Sequence, residues 1–342
     1  MKAVRIHEHG GINVLQVDEV DQPLCTSDKI KVKIKATALN HLDLWVREGL
    51  PGINIPLPLT MGSDASGEIV EVGKNINNYA VGDNVIIQPG TFDLSCDMVL
   101  KGKENYSTTY GILGETENGV QSEYIVLPEI NVSKMSEHLS FEEAASMQLV
   151  FMTSYQMLVT RGKLLENEFI LIYGATSGIG SASIQIAKDI GAKIITTVGS
   201  DEKMDFAYKL GADFVLNHSN DLVAEISKIT NQSGVDIICE HIGKKTWNQS
   251  MKVLRKGGRI VTCGSTTGPL VSIDLRHLFM KQQTIMGSTM ASIDTFNKVL
   301  NKIKLKKYKS FIDKVYIFDE VKNAHKRMED RKNFGKIVLI PK

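Results

Sequence analysis

The sequence contains few cysteines, and no two of them have metal-binding spacing. Among 342 residues there are only Cys25, Cys96, Cys239 and Cys263, and none lies in a CxxC pattern. Thiols this far apart indicate neither a disulfide framework nor a zinc knot. Each is expected to be a reduced, small apolar residue, with a reactive thiol as the alternative.

The sequence also lacks an excess of charge and a long apolar run. Its 40 basic and 39 acidic residues give a net charge of +1, so nothing favours binding to nucleic acid or to an anionic membrane. No stretch approaches the roughly 18 apolar residues of a spanning helix, and the first residues lack the apolar core of a signal peptide. We therefore expect a cytoplasmic protein that acts on a small molecule, with no nucleic-acid or membrane partner.

The patterns that are present divide the chain into two kinds of segment. Residues 1–128 are β-rich, and KIKVKIKATAL alternates from Lys29 in the manner of a strand with one wet face. HLDLWVREG, from His41 to Gly49, predicts a short helix or turn. From Phe141, with Ser140 as N-cap, helical patterns and apolar strands alternate. The alternation predicts an α/β fold in which a doubly wound parallel sheet follows the β-rich part.

The segment FILIYGATSGIGSASIQIAK joins an apolar strand to a helical pattern through three glycines. Glycines allow a tight turn and the close approach of a ligand, and the N-terminus of a helix attracts phosphate. The segment therefore predicts a site for the pyrophosphate of a dinucleotide, with a purely structural turn as the alternative. The predicted contacts are Gly174, Thr176, Ser177, Gly178, Ile179 and Gly180.

Further cofactor contacts are expected where later strands end, because α/β sheets bind ligands at the carboxyl ends of their strands. The short segments EHIG, CGS and GST each follow an apolar strand pattern. Ordinary loop chemistry is the alternative for each of them. The predicted cofactor-binding residues in these segments are His241, Cys263, Gly264, Ser265 and Ser288.

Several strings, in one order, resemble the medium-chain dehydrogenase/reductase superfamily, which includes zinc alcohol dehydrogenases and quinone oxidoreductases. They are GSDASGEIVEVG, GATSGIGSASIQIAK, LRKGGRIVTCGSTTGP and FGKIVLIP, and the similarity runs over essentially the whole chain. The resemblance implies a GroES-like catalytic domain formed by residues 1–128 and 292–342, with a Rossmann domain over residues 129–291. It also implies subunit pairing through the edge strand TIMGSTM, and hence a homodimer or homotetramer.

The positions that hold the catalytic zinc in relatives carry other side chains here. By the resemblance, the ligand positions read Asn40, Ser63 and Leu149, and none of these is a good zinc donor. We therefore expect no catalytic zinc. The alternative is an improvised site that uses His41 and Asp64.

A second lobe, which binds a structural zinc in relatives, retains one thiol. Its four cysteine positions read Asp93, Cys96, Val99 and Ser107. One thiolate cannot close a tetrahedral site, so the lobe is expected to be held by apolar packing. The available contacts are Phe92, Met98, Val99 and Tyr106.

The missing zinc also bears on the reaction, because a Lewis acid assists the oxidation of an alcohol. Metal-free members of the resembled family reduce quinones or α,β-unsaturated carbonyls, which requires positioning and a hydrogen bond or proton at the developing enolate. Asn40 and Asp43 are the predicted catalytic residues, the alternative for Asp43 being to orient His41 or a backbone N–H. By family match, Thr153 is expected near the nicotinamide. Lys336, in the FGK segment of the tail, is expected to reach the cofactor.

The choice of cofactor depends on the end of the second Rossmann strand. There the chain reads Gly199-Ser200-Asp201-Glu202-Lys203, so the strand-end position carries no acid to repel a 2′-phosphate. Ser200 and Lys203 are predicted to bind it, which favours NADP(H) over NAD(H); in the alternative, Asp201 binds the ribose of NAD(H). The predicted function is reduction of a quinone or α,β-unsaturated carbonyl. The alternatives are an alcohol or aldehyde dehydrogenase/reductase and a nucleotide-binding protein without turnover.

Overall fold

The structure is a computed structural model that describes residues 1–342, and the chain forms two compact units. Unit 1 comprises residues 1–149, 292–296 and 309–342, and unit 2 comprises residues 150–291 and 297–308. The first predicted segment ended at residue 128, whereas unit 1 continues to Leu149. The extra residues belong to unit 1 because Val132–Lys134 pairs with its sheet and Phe141–Ala145 packs on that sheet.

The elements of unit 1 include the predicted long strand from Lys29 and the predicted short helix from His41. The helix that begins at Phe141 is capped as predicted, since the Ser140 hydroxyl accepts from the Glu143 N–H. In the first segment the elements are β1 Lys2–Ile6, β2 Gln16–Glu19, β3 Lys29–Ala38, α1 His41–Glu48, β4 Leu59–Thr60, β5 Asp64–Val72, β6 Asn84–Ile87, β7 Gly90–Thr91, α2 Asp97–Leu100, β8 Gly111–Ile112, β9 Tyr124–Pro128, β10 Val132–Lys134 and α3 Phe141–Ala145.

Unit 2 shows the predicted alternation of strands and helices. A π-helical turn, Gln156–Arg161, continues its first helix. The elements of this middle segment are α4 Gln148–Tyr155, β11 Phe169–Ile172, α5 Gly178–Ile190, β12 Lys193–Val198, α6 Met204–Leu210, β13 Phe214–Asn217, α7 Leu222–Ile229, β14 Val235–Glu240, α8 Trp247–Val253, β15 Leu254–Thr262, α9 Leu275–Met280, β16 Thr284–Gly287 and α10 Ile293–Lys304.

The last segment returns to unit 1. It forms β17 Ile312–Ile317, α11 Val321–Glu329 and β18 Lys336–Ile340. These strands complete a seven-stranded sheet of order β10-β6-β5-β3-β18-β17, with β9 also paired to β3. Strand β18 runs antiparallel to β3, so the tail of the chain lies beside the strand that leads to α1.

The sheet of unit 2 is six-stranded and parallel, in the order β13-β12-β11-β14-β15-β16. Its central strand β11 is apolar throughout and almost fully buried, as expected of a strand covered on both faces. This is the Rossmann arrangement predicted from the sequence, and β16 lies at an edge as predicted. No helix of the chain has both the length and the apolar character needed to cross a lipid bilayer.

Candidate functional site

The pairing of one residue, Ala38, brings three distant segments of unit 1 together. Ala38 ends β3 and is paired with Asp64, the first residue of β5, on one side. On its other side it is paired with Val338 of β18. Asn40 follows Ala38 by two residues and Lys336 precedes Val338 by two. The register of the sheet therefore places Asn40, Asp64 and Lys336 at one point.

The side chains of these three residues, called here the Lys336 cluster, form a closed set of hydrogen bonds. Lys336 Nζ donates to Asn40 Oδ1 at 2.5 Å and to Asp64 Oδ2 at 3.1 Å. Asn40 Nδ2 donates to the same Asp64 oxygen at 2.9 Å. All three residues are buried, with 5%, 0% and 5% of Asn40, Asp64 and Lys336 exposed. The structure thus joins Lys336 to the predicted catalytic residue Asn40, while its predicted contact with the cofactor remains a prediction.

Asp43 has a structural partner in the first turn of α1. Its Oδ2 accepts from the Asn40 backbone N–H at 2.7 Å, which forms a capping box. Burial raises the pKa of Asp43 to about 7, although hydrogen bonds from the backbone of Asn40 and Gly62 and the charge of Lys336 oppose the shift. The contact matches the alternative in which Asp43 orients a backbone N–H, and its catalytic role remains a prediction.

The side chains at the resembled zinc position do not fit a zinc ion. Ser63 donates its hydroxyl to the Leu113 carbonyl at 2.8 Å, and Leu149 contributes only its backbone N–H, which donates to Asp64 Oδ1 at 2.9 Å. The remaining carboxylate, Asp64, is already paired with the ammonium of Lys336. No group of three or more His, Cys, Asp or Glu side chains in the chain is arranged to hold a metal ion.

The second lobe is held by hydroxyl contacts and one aromatic pair. The Ser107 hydroxyl donates to Cys96 Sγ at 3.1 Å, and this hydrogen bond is the main reason why the pKa of Cys96 is lowered. Phe92 stacks on Tyr110 with ring centroids 6.2 Å apart. Apolar packing by Met98 and Tyr106 was the wrong expectation, because both of these side chains are exposed.

In unit 2, the predicted phosphate turn has the geometry of a helix N-terminus. Gly174 follows β11 with φ of +65°, a conformation that favours glycine. Helix α5 begins at Gly178, and the Ser177 hydroxyl accepts from the Gly180 N–H at 2.9 Å. The N–H groups of Gly178 and Ile179 have no acceptor within the helix. A Cβ at Gly180 would collide with the Gly174 carbonyl oxygen, so the close approach requires glycine.

His241 lies beside this turn and is an uncharged hydrogen-bond acceptor there. Its Nε2 is 2.9 Å from the Tyr173 carbonyl oxygen, so Nε2 carries the proton and Nδ1 presents a lone pair. Burial lowers the pKa of His241, which keeps the ring neutral. The preceding carboxylate, Glu240, holds the loop by accepting from the N–H groups of Ile242 and Gly243.

The loop after β15 is joined to the His241 loop. The N–H of Thr266 donates to the His241 carbonyl, and the N–H of Thr267 donates to the Ile242 carbonyl. The structure therefore brings the predicted residues Cys263, Gly264 and Ser265 next to His241. Desolvation raises the pKa of Cys263, so it remains a neutral thiol, in agreement with the expectation for the cysteines.

Two of the predicted cofactor residues carry buried hydroxyls without a hydrogen-bond partner. They are Thr153 Oγ1 in α4 and Ser288 Oγ after β16. A buried polar atom without a partner is costly, and a bound polar ligand satisfies it. The orphaned hydroxyls and the glycine turn fit a dinucleotide.

His218 lies beside the end of β12 and is not among the residues predicted from the sequence. A Cβ at Gly199 would lie 2.9 Å from His218 Cε1, so the imidazole ring lies over the glycine. The neighbouring Asp201 accepts a 3.4 Å hydrogen bond from Asn217, and Ser200 makes no capping hydrogen bond. The signal was available, since His218 directly follows the adjacent strand β13.

This chain is similar to known oxidoreductases over both of its units. A family model described as an alcohol dehydrogenase GroES-like domain matches residues 26–137, and one described as a zinc-binding dehydrogenase matches residues 178–304. A crystal structure of an NAD-dependent alcohol dehydrogenase is 37% identical, with a TM-score of 0.96 and 99% of each chain covered. A crotonyl-CoA carboxylase/reductase of Cereibacter sphaeroides is 29% identical over 95% of this chain and 83% of its own. A quinone oxidoreductase of Homo sapiens is 28% identical over 85% and 81%.

Proposed function

Because the chain belongs to the medium-chain dehydrogenase/reductase superfamily and is therefore an oxidoreductase, we propose that it is a metal-independent, NADP(H)-dependent reductase. Its substrate is a quinone or an α,β-unsaturated carbonyl compound. The observation that carries the proposal is the Lys336 cluster, in which an ammonium pairs with the one carboxylate at the resembled metal position. The charge of that carboxylate is balanced by Lys336, and its neighbours Asn40 and Ser63 are uncharged. Zn²⁺ therefore has no set of charged donors there.

The cofactor is a nicotinamide dinucleotide, for which the family match and the glycine turn both argue. When bound it supplies the hydride. The residues that would hold it are the Gly178–Gly180 turn at the pyrophosphate, with His241, Thr153 and Ser288 as hydrogen-bonding partners. In support of NADP(H), Gly199 leaves no acid at the strand end, and His218, Ser200 and Lys203 lie at or next to it. The alternative, NAD(H), is the cofactor named for the 37% identical relative.

The substrate needs a hydrogen-bond donor where negative charge develops on its oxygen. The side chains of the Lys336 cluster are donors of this kind, with Asn40 Nδ2 and Lys336 Nζ both carrying N–H groups. Asp43, with a pKa raised to about 7 by burial, holds the first turn of α1 and keeps Asn40 in place. Relatives named for a quinone substrate and for crotonyl-CoA support this class of electrophile.

Two other functions compete with this proposal. The relative named as an alcohol dehydrogenase favours an alcohol or aldehyde dehydrogenase/reductase, and a nucleotide-binding protein without turnover is the third candidate. Oxidation of NADPH and of NADH should be followed with 1,4-benzoquinone, 2-cyclohexen-1-one, benzaldehyde and a buffer blank. Faster oxidation with the quinone or enone than with benzaldehyde supports the proposal. Tight cofactor binding without turnover on any compound favours the third candidate.

Metal content tests the same proposal independently of activity. The purified chain should contain less than a tenth of an equivalent of zinc by elemental analysis, and dialysis against a chelator should leave its turnover unchanged. One tightly held equivalent of zinc would overturn the metal-free assignment.

We also propose that the chain forms a homodimer or homotetramer through the edge strand β16. An unpaired edge strand is a template for pairing with a second copy. Nearby α9 exposes Leu275, Phe279 and Met280 by 66%, 66% and 68%, which a partner would cover. Light scattering after size exclusion should give the mass of two or four chains, and the F279E variant should shift it to that of one.

A further inference from the structure

The ammonium of Lys336 has one more hydrogen-bond donor than its neighbours use. An ammonium carries three N–H donors and no acceptor. Two of them are directed at Asn40 Oδ1 and Asp64 Oδ2, at 2.5 and 3.1 Å. No hydrogen bond to another residue of the chain uses the third. A buried cation with a spare donor is the kind of group that stabilises an oxyanion.

The contacts around Lys336 fix the direction of its ammonium group. The Asp64 carboxylate accepts hydrogen bonds from the Leu149 N–H, the Asn40 amide and Lys336 itself. The Asn40 amide cannot flip without losing both of its hydrogen bonds, since its nitrogen donates to Asp64 and its oxygen accepts from Lys336. Asn40 and Asp64 therefore position the lysine.

We propose that Lys336 is the electrophilic catalytic residue, and that its third N–H binds the carbonyl oxygen of the substrate. An organic cation thus provides the polarisation that a Lewis acid provides elsewhere. The inference rests on the proposed function, and it changes the roles assigned from the sequence: Asn40 becomes a positioning residue, and Lys336 acts on the substrate rather than on the cofactor.

The electron balance of the proposed step is that of a conjugate reduction. The reductant would be the reduced nicotinamide cofactor, which would supply the hydride and would be left oxidised. The β-carbon of the enone gains a hydride and forms a C–H bond, the C=C electron pair moves to form the enolate, and the enolate oxygen accepts the Lys336 N–H. A water molecule then donates the proton that forms the C–H bond at the α-carbon and leaves as hydroxide, so that Lys336 ends the step as it began.

The test uses 2-cyclohexen-1-one as substrate and two designs of variant. D64N/K336M removes both charges together, so that no carboxylate is left buried without its partner. K336A leaves space for an added amine, and ethylammonium and tetramethylammonium are compared as additives, because only the first has N–H donors. K35M/E68Q, which removes an ion pair of unit 1 outside the cluster, is the matched control.

We expect D64N/K336M to fold, to bind NADPH with a Kd within twofold of wild type, and to lose about 100-fold or more in kcat, as when an oxyanion donor is removed. Ethylammonium should restore the turnover of K336A in a saturable manner, tetramethylammonium should not, and the K35M/E68Q control should retain the wild-type kcat.

Four outcomes overturn the inference. If folded D64N/K336M keeps the wild-type kcat, the pair is only structural. If its Kd for NADPH rises while kcat is unchanged, Lys336 binds the cofactor. Equal effects of the two additives on K336A would show that an N–H donor is not required. If the wild-type enzyme reduces no quinone or enone at all, the proposed function fails and the inference with it, which separates that case from the other three.

Discussion

The candidate sites of the two units are built in different ways. In unit 2 the phosphate turn is made of backbone from one continuous stretch, with glycines, a helix N-terminus and a capping serine. In unit 1 the Lys336 cluster is made of side chains from positions 40, 64 and 336, which meet because β3 pairs with both β5 and β18. The first kind of site is defined by local shape, and the second by strand register and charge.

This difference predicts different sensitivities to mutation. A backbone site fails when volume is added, because the ligand needs the space next to the main chain. A side-chain cluster fails when charge is changed, because each buried group depends on its partners. Substitutions in each site test this contrast, and the largest effect is expected at the phosphate turn.

The substitution G180A should abolish the phosphate turn. The added methyl group would collide with the Gly174 carbonyl oxygen, and overpacking of this kind costs about 1–3 kcal/mol of stability. NADPH binding, followed by fluorescence titration, should be lost. G11A is the matched control, since a Cβ there meets nothing within 4 Å. Unchanged NADPH affinity in G180A would show that the turn does not contact the cofactor.

The same contrast explains which parts of the fold and of the two candidate sites could be predicted from the sequence. The glycine turn was readable because its signals lie within about twenty consecutive residues, and the parallel sheet was readable from the alternation of patterns. Asn40 and Lys336 were both predicted as site residues, but their hydrogen bond to each other was not. Nothing local in FGKIVLIP tells which strand will pair with it, and only the antiparallel register of Val338 with Ala38 brings Lys336 to Asn40 and Asp64.

Gly199 and His218 illustrate an intermediate case. Each was visible in the sequence at the end of its strand, yet their contact depends on the parallel pairing of Val198 with Asn217. Parallel strands are joined through a helix, so neighbours across the sheet lie far apart in the chain. Single strands and helices were therefore predicted better than the contacts between them.

The substitution D43N should change how stability depends on pH. The folded chain holds the Asp43 proton up to about pH 7, whereas an unfolded aspartate loses it near pH 3.9. The folded state thus binds more protons between these values, so this group's contribution to stability falls as pH rises from about 4 to 7. The loss amounts to about 1.4 kcal/mol for each pH unit.

Urea unfolding between pH 5 and pH 8 provides the measurement. The difference in unfolding free energy between wild type and D43N should shrink, or reverse in favour of D43N, as the pH rises, and should level off above about pH 7. Parallel curves for the two proteins would contradict the raised pKa and with it the burial of a protonated carboxyl at the first turn of α1.

The substitution T153V tests whether the Thr153 hydroxyl binds the cofactor or is only buried. Thr153 Oγ1 has no partner in the chain, so valine should stabilise the cofactor-free protein by about 1 kcal/mol while weakening NADPH binding by up to about tenfold. Thr37 Oγ1 in β3 is also buried without a partner, and T37V is the matched control. It should give the same gain in thermal stability and leave the Kd for NADPH unchanged. Equal Kd changes in both variants would remove Thr153 from the cofactor site.

The smallest effect is expected from K203A, at the position that is proposed to distinguish NADPH from NADH. A partly exposed lysine facing a phosphate is worth about 1 kcal/mol or less, so KM for NADPH should rise by up to about fivefold, while KM for NADH stays the same. The effect should diminish in high salt, because exposed charges are screened. K209A, an exposed lysine of the following helix, controls for loss of positive charge in general. If K203A changes KM for NADPH and for NADH equally, Lys203 does not bind the 2′-phosphate. The choice of cofactor then depends on another residue.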